Sequence, residues 1–166
     1  MTIAWVFPGQ GSQKSGMAAP VLTLPGAEER FALASRLLGR DLLAICQGEA
    51  NENAEPADLN DTRNTQPALF VIESLIVDEM LRQKREPAFV AGHSLGEYSA
   101  HVAAGTLAFG DAVRLVRHRG RYMQEAVPVG QGAMAAILGL DEAGVTQACL
   151  EAAQGDVVSP ANINSP

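Results

Sequence analysis

One pentapeptide constrains this chain more than any other stretch: residues 92–96, Gly-His-Ser-Leu-Gly, fit the G-x-S-x-G pattern. The apolar run 88–91 before it predicts a buried strand, and the residues after it, up to Gly105, can form a helix. In such a strand–turn–helix the serine sits on a strained turn, and the two glycines let strand and helix approach closely. The hydroxyl then faces a cleft at a helix N-terminus, which favours developing negative charge. Chance occurrence in a glycine-rich chain is the alternative, and the strand-before, helix-after context favours function.

Composition limits the class of protein. The 166 residues are 47% hydrophobic and 19% charged, as in a globular domain with its own core. No apolar run reaches the length of a membrane span, and the N-terminus lacks a signal-peptide pattern. A net charge of −7 argues against nucleic-acid binding. Cys46 and Cys149 show no motif spacing, which predicts free thiols and a cytoplasmic location. The three histidines form no cluster with cysteine, so no metal site is predicted.

The N-terminal segment predicts a strand followed by a ligand-binding loop. Residues 2–7 are rich in β-formers and end at Pro8-Gly9. The loop 9–16 does not fit a phosphate-binding pattern, because Gln13 stands where Walker A needs glycine and Lys14 where the dinucleotide fingerprint needs its third glycine. What remains is an amide-rich loop at the carboxyl end of a strand, where open α/β sheets bind ligands.

Helical patterns fill most of the next eighty residues. Residues 26–55 hold two or three short ones, including 27–38, and we interpret them as mainly structural. Residues 62–83 predict a longer helix, with Thr65 as N-cap and Pro67 in the first turn. Its apolar residues cover almost every side, which predicts burial between layers.

A helix over 111–126 carries a second functional signal, Arg119. At about 100° per residue, Arg119 lies in the middle of an apolar arc. The members of that arc are Ala112, Leu115, Val116, Tyr122, Met123 and Ala126. A core-facing arginine needs a partner, which is either a structural carboxylate or an anionic substrate held in a cleft. The opposite face is basic and is either a solvated surface or a docking patch for an acidic partner. Its members are Arg114, Arg117, His118 and Arg121.

The pattern changes after residue 132. A strand is predicted over 133–138, a helix over 141–153 and a short strand at 157–158. These elements would form a β-α-β unit at the end of the sequence, which is typical of an incomplete domain.

Five ordered motifs now support a resemblance. They are residues 7–13 (Phe-Pro-Gly-Gln-Gly-Ser-Gln), 65–68 (Thr-Gln-Pro-Ala), 92–99 (Gly-His-Ser-Leu-Gly-Glu-Tyr-Ser), 119–120 (Arg-Gly) and 162–166 (Asn-Ile-Asn-Ser-Pro). The chain closely resembles the malonyl-CoA:acyl carrier protein transacylases of bacterial type II fatty acid synthesis. The acyltransferase domains of polyketide synthases are more distant.

The resemblance implies a fold and its division. The expected class is α/β, with an α/β-hydrolase-like parallel sheet flanked by helices. Residues 1–127 are expected to form the N-terminal part of that large subdomain. Residues 128–166 are expected to form the first β-α-β part of a ferredoxin-like small subdomain.

The resemblance also implies a site. Ser94 is the nucleophile that takes malonyl from coenzyme A as an ester and passes it to the phosphopantetheine thiol of acyl carrier protein. The backbone amides of Gln10 and Leu95 form the oxyanion hole. Arg119 binds the malonyl carboxylate, and this would give the core-facing arginine its partner. His93, Gln66 and Asn162 line the cleft as substrate-binding residues, and no cofactor is implied.

One expected component is absent. Family members are roughly twice as long, and their general base is a histidine that none of His93, His101 and His118 matches. We therefore expect a truncated, N-terminal part with little transacylase activity, because an unassisted serine hydroxyl is a weak nucleophile. We also expect exposed apolar sheet surface, and hence self-association or binding of the missing half.

Two other functions stay open. A serine esterase would share the G-x-S-x-G turn but has no use for an anion-binding Arg119. A non-catalytic module would bind carrier protein or coenzyme A through the basic helix face and would never acylate Ser94.

Overall fold

The computed structural model describes residues 2–48, 58–128 and 130–164. The chain divides into two compact units, Met1–Val129 and Gly130–Pro166. The predicted α/β class is confirmed for the first unit, which has a small parallel sheet and flanking helices. In the described residues the strands are β1 (Ala4–Phe7) and β2 (Phe89–Gly92), and the α-helices are α1 (Ala27–Leu38), α2 (Leu42–Gln47), α3 (Thr62–Arg82), α4 (Gly96–Ala103), α5 (Phe109–Ala126) and α6 (Glu142–Ala153). A 3-10 turn, Ala19–Val21, was not predicted. The end of the region 26–55 lies outside the described residues.

The two strands are parallel neighbours, and their ends set the position of the site. Ala4 pairs with Phe89, and Phe7 pairs with Gly92. Trp5 and Phe7 face inward and pack with Val77 and Ala100. The other face of the sheet is apolar and exposed, as Val6 and Phe89 show. Because parallel strands end at the same edge, the loop after β1 and the turn after β2 lie side by side.

The glycines on either side of the predicted turn are required by close backbone contacts. A Cβ on Gly92 would lie 2.0 Å from the carbonyl carbon of Gly96, and a Cβ on Gly96 would lie 2.2 Å from the carbonyl oxygen of Phe7. Neither obstacle is a flexible side chain. The strand–turn–helix predicted from the sequence is therefore present, with α4 held directly against the end of β1.

Much of helix α3 is buried, as its apolar pattern predicted, whereas Ile76 by 43% and Leu81 by 42% are exposed. Its residues 64–75 and Val77 are buried. The predicted N-cap was wrong: Asp61 caps the helix by accepting the Arg63 N–H at 2.9 Å. Thr65 lies inside the helix, where its hydroxyl donates to the Leu59 carbonyl at 2.5 Å. The carboxylate of Asp61 also carries negative charge at the N-terminus, which the helix dipole favours.

Helix α5 packs on α3 through a narrower face than the sequence predicted. The buried residues are Ala112, Val113, Val116 and Gly120. Four members of the predicted apolar arc are instead exposed: Ala126, Leu115 by 45%, Tyr122 by 55% and Met123 by 41%. On this face, Gly120 lets the backbone of α5 approach the backbone of α3. A Cβ at Gly120 would lie 2.9 Å from the carbonyl oxygen of Thr62.

The second unit contains the predicted helix but not the predicted strands. Asp141 caps α6 by accepting the Gly144 N–H at 2.8 Å. Residues 133–138 and 157–158, which are described, form no strand. A strand needs a hydrogen-bonded neighbour to satisfy its backbone groups, and these two segments do not pair with each other. Helix α6 has no buried residue.

Two kinds of feature are absent from the residues that the structure describes. No helix in these ranges is both long and apolar enough to cross a membrane. No group of three or more metal-ligating side chains was found among the same residues.

We expect Gly120→Ala to destabilise the first unit, because the added methyl meets the backbone of α3. The cost should be about 1–3 kcal/mol, typical of overpacking, and denaturant unfolding measures it. Gly110→Ala in the same helix is the matched control, since its nearest obstacle is the flexible Arg114 side chain at 3.8 Å. Unchanged stability in Gly120→Ala would contradict the close packing of α3 and α5.

Candidate functional site

Ser94 occupies a strained turn between β2 and α4. Its φ is +56°, a left-handed value that non-glycine residues adopt at a cost of about 1–3 kcal/mol. The turn is fixed from behind by the His93 N–H, which donates to the Phe7 carbonyl at 2.9 Å. Ser94 is exposed, whereas the next side chain, Leu95, is fully buried. The strain and the buried leucine therefore hold the serine hydroxyl at the surface, as the pattern predicted.

The hydroxyl of Ser94 meets the guanidinium of Arg119. Arg119 Nη2 donates to Ser94 Oγ at 2.7 Å, and Nη1 donates to Gln66 Oε1 at 2.5 Å. No carboxylate of the described ranges forms an ion pair with Arg119. Of the two partners considered from the sequence, a structural carboxylate is therefore not found there, and the cation faces the hydroxyl instead.

Gln66 and Gln10 extend this contact into a polar chain. Gln66 Nε2 donates to Gln10 Oε1 at 3.3 Å, and Gln10 Nε2 donates to the Thr62 hydroxyl at 3.0 Å. Gln66 Nε2 also lies 3.3 Å from Met123 Sδ. The structure thus brings together Ser94, Arg119, Gln66 and the Gln10 side chain. Neither Thr62 nor Met123 was predicted to lie at the site.

The two residues expected to supply oxyanion-hole amides differ in exposure, since Gln10 is exposed and Leu95 is fully buried. Within the described ranges, neither backbone N–H donates to a protein group. Leu95 is the N-cap residue of α4, where the first amides lack intrahelical partners. Gly9, next to Gln10, is close to the turn, because a Cβ there would lie 2.5 Å from the His93 carbonyl oxygen.

The three histidines of the first unit make contacts other than with the Ser94 hydroxyl. The His93 ring is near Gly9 rather than on the Ser94 hydroxyl, since Nδ1 lies 3.1 Å from a Cβ built there. Asn162 belongs to the second unit and is exposed. His101 Nδ1 pairs with the Thr106 hydroxyl at 2.9 Å, and the His118 ring stacks on Tyr122.

The arginines on the basic face of α5 have polar partners within the chain. Arg114 pairs with Asp111 at 2.8 Å, and Arg121 pairs with Glu125 at 3.3 Å. Arg117 donates to the Leu37 carbonyl at 2.7 Å. Exposed pairs of this kind are typical of a solvated helix surface.

One buried acid lies behind the serine turn. Glu73 on α3 is 6% exposed and accepts a hydrogen bond from the Ser99 hydroxyl on α4. Its other carboxyl oxygen has no partner in the described residues. Burial raises the pKa of Glu73 from 4.5 to about 7, and the Ser99 hydrogen bond opposes that rise. Glu73 is therefore a protonated acid over much of the acidic range.

Comparison with known proteins defines the class. The family model described as acyl transferase domain matches residues 4–166. The chain therefore belongs to the acyl transferase domain family, which confirms the resemblance seen in the motifs.

Within this family the similarity is to malonyl transacylases. The chain is 55% identical over 166 residues to the malonyl CoA-acyl carrier protein transacylase of Escherichia coli strain K12, covering 98% of this chain and 52% of that protein. It is 45% identical over 167 residues to the protein of the same name from Bacillus subtilis strain 168. The chain spans about half the length of the curated relatives it matches.

Solved structures agree in fold. An acyl carrier protein S-malonyltransferase from Vibrio cholerae superposes with a TM-score of 0.82 at 48% identity, covering 100% of this chain and 53% of that one. A malonyl-transacylase solved in complex with a type II PKS acyl-carrier protein superposes with a TM-score of 0.87 at 49% identity, again covering 100% of this chain and 53% of that one.

We expect Glu73→Gln to remove one component of the pH dependence of stability. Because the pKa of Glu73 is raised on folding, the folded protein keeps a proton that the unfolded chain loses above about pH 4.5. Wild-type stability therefore falls, relative to the variant, as the pH rises from about 4.5 to about 7. The relative gain of the variant should reach on the order of 3 kcal/mol. Denaturant unfolding at a series of pH values measures it, and a difference that does not vary with pH would contradict this assignment.

Proposed function

We propose that this chain carries the nucleophile and the anion-binding residue of a malonyl transferase that moves malonyl from coenzyme A to acyl carrier protein in fatty acid biosynthesis. The observation that carries the proposal is the 2.7 Å contact between Arg119 Nη2 and Ser94 Oγ. A guanidinium beside a serine on a strained turn suits an acyl group that ends in a carboxylate. The names of the relatives support the same substrates.

Arg119 selects the acyl group in this proposal. Its fork of N–H donors matches a carboxylate bidentately. The Gln66 oxygen accepts one of these N–H groups and holds the head group in place at 2.5 Å. When a malonyl carboxylate binds, it accepts the Arg119 N–H group that otherwise donates to Ser94 Oγ. The Ser94 hydroxyl is then free of this hydrogen bond and lies next to the thioester carbon.

Ser94 carries the acyl group between the two thiols. Its Oγ forms a bond to the thioester carbon, the C–S bond breaks, and coenzyme A leaves as the thiol. The amides of Gln10 and Leu95 stabilise the oxyanion of each tetrahedral intermediate. The phosphopantetheine thiol then attacks the ester and regenerates the hydroxyl. No proton acceptor contacts Ser94 Oγ in the described residues, because a guanidinium only donates. We therefore expect slow acylation by this chain alone.

The finer assignments are part of the same proposal. We assign residues 1–127 to an α/β-hydrolase-like subdomain and 128–166 to a ferredoxin-like one. His93 and Asn162 are assigned to the cleft wall. No cofactor is needed, because both steps are exchanges between acyl esters. Free thiols at both cysteines fit a cytoplasmic location. The exposed apolar face of the sheet supports a role for a second copy or a further segment in covering it.

We expect malonyl-CoA to acylate Ser94 and Arg119→Ala to slow this about 10- to 100-fold, the loss expected for a charged hydrogen bond. Intact-mass spectrometry over time measures the adduct, and Ser94→Ala should abolish it. Arg114→Ala, on the same helix but exposed and paired with Asp111, is the control and should acylate normally.

The acetyl-CoA reaction separates the competing functions. A malonyl transferase should lose malonyl but not acetyl transfer in Arg119→Ala. If Arg119→Ala lowers malonyl and acetyl transfer equally, or leaves both unchanged, a serine esterase is favoured. No adduct on Ser94 under any condition would leave only the binding module.

A further inference from the structure

The polar chain behind Ser94 has a fixed direction. A guanidinium can only donate, so Gln66 must turn its oxygen toward Arg119 and its NH₂ away. That NH₂ faces Gln10 Oε1, so Gln10 must turn its own NH₂ toward the Thr62 hydroxyl. The hydroxyl is the acceptor that ends the chain. Without it, Gln10 keeps the hydrogen bond from Gln66 but loses the one that anchors its own NH₂, so its carboxamide is held less firmly.

Thr62 lies where three segments meet. It is the first residue of α3. Its hydroxyl accepts a hydrogen bond from Nε2 of Gln10, in the loop after β1, at 3.0 Å. Its backbone carbonyl lies against Gly120, the residue after Arg119 on α5, so closely that a Cβ on Gly120 would be 2.9 Å away. A second link holds the same loop, since Gln13 Nε2 donates to Asn60 Oδ1 at 3.0 Å. Thr62 therefore connects the loop with the proposed oxyanion donor to the helix with the proposed carboxylate ligand.

We propose that Thr62 is a positioning residue for malonyl recognition: its hydroxyl fixes the Gln10 carboxamide, which orients Gln66 and through it the guanidinium of Arg119. The proposal rests on the proposed function. Thr62 does not touch the substrate. It anchors the Gln10 carboxamide, which supports the Gln66 side chain that holds the arginine, so its loss affects a substrate that has a carboxylate and spares one that has none.

The test compares Thr62→Val, which keeps the shape and removes the acceptor, with Thr62→Ser, which keeps the acceptor. Thr146→Val, an exposed threonine of α6 in the second unit, is the matched control. Rates of Ser94 acylation are measured with malonyl-CoA and with acetyl-CoA. We expect Thr62→Val to lower the malonyl rate about three- to tenfold at subsaturating substrate. The acetyl rate and the unfolding midpoint should stay unchanged, and Thr62→Ser should restore the malonyl rate.

A second readout does not need acylation. Side-chain amide signals of Gln10 and Gln66 are assigned by NMR from Gln10→Ala and Gln66→Ala. We expect Thr62→Val to shift both pairs of signals, and Thr62→Ser and Thr146→Val to leave them in place. If the parent chain forms no adduct, the proposed function fails, and the NMR comparison alone decides on the polar chain. Unchanged amide signals, or equal losses of malonyl and acetyl transfer in Thr62→Val, would overturn the role of Thr62.

Discussion

The close approach of backbone to backbone at two glycines determines everything at this site. Gly96 rests on the carbonyl of Phe7, which places the serine turn beside the loop after β1. Gly120 rests on the carbonyl of Thr62, which brings Arg119 to the same place. The 2.7 Å contact between a guanidinium and a hydroxyl follows from these two packings. A methyl group at either glycine would meet backbone atoms, so it would separate Arg119 from Ser94 without touching either residue.

The contact has a chemical consequence beyond substrate binding. In this structure the guanidinium donates to the oxygen of Ser94 and so engages one of the two lone pairs of that hydroxyl. An acyl group with a carboxylate competes for the same donors, whereas a neutral acyl group does not. Under the proposed function, selection for malonyl follows from this resting arrangement of the site. The buried acid Glu73 acts elsewhere: it ties α3 to α4 through Ser99 and makes their packing sensitive to pH.

Local patterns in the sequence predicted most of the elements, and long-range contacts account for what was missed. The turn at Ser94 was predictable because sterics require glycine on both sides. Thr62 was not, because its role depends on a partner in a loop 52 residues away. The cap of α3 was assigned to Thr65 rather than Asp61, since both are good capping residues. The strands expected at 133–138 and 157–158 failed because an apolar pattern cannot supply the neighbour that a strand requires.

A crystal structure of the chain with malonate bound tests the central claim most directly. The account requires one carboxylate to sit on the guanidinium of Arg119, at the distance of about 2.8 Å typical of charged hydrogen bonds, with the Ser94 hydroxyl released beside the other end of the molecule. Gln66 should keep its oxygen on the arginine. Malonate bound elsewhere, or an Arg119 head group directed away from Ser94, would contradict it.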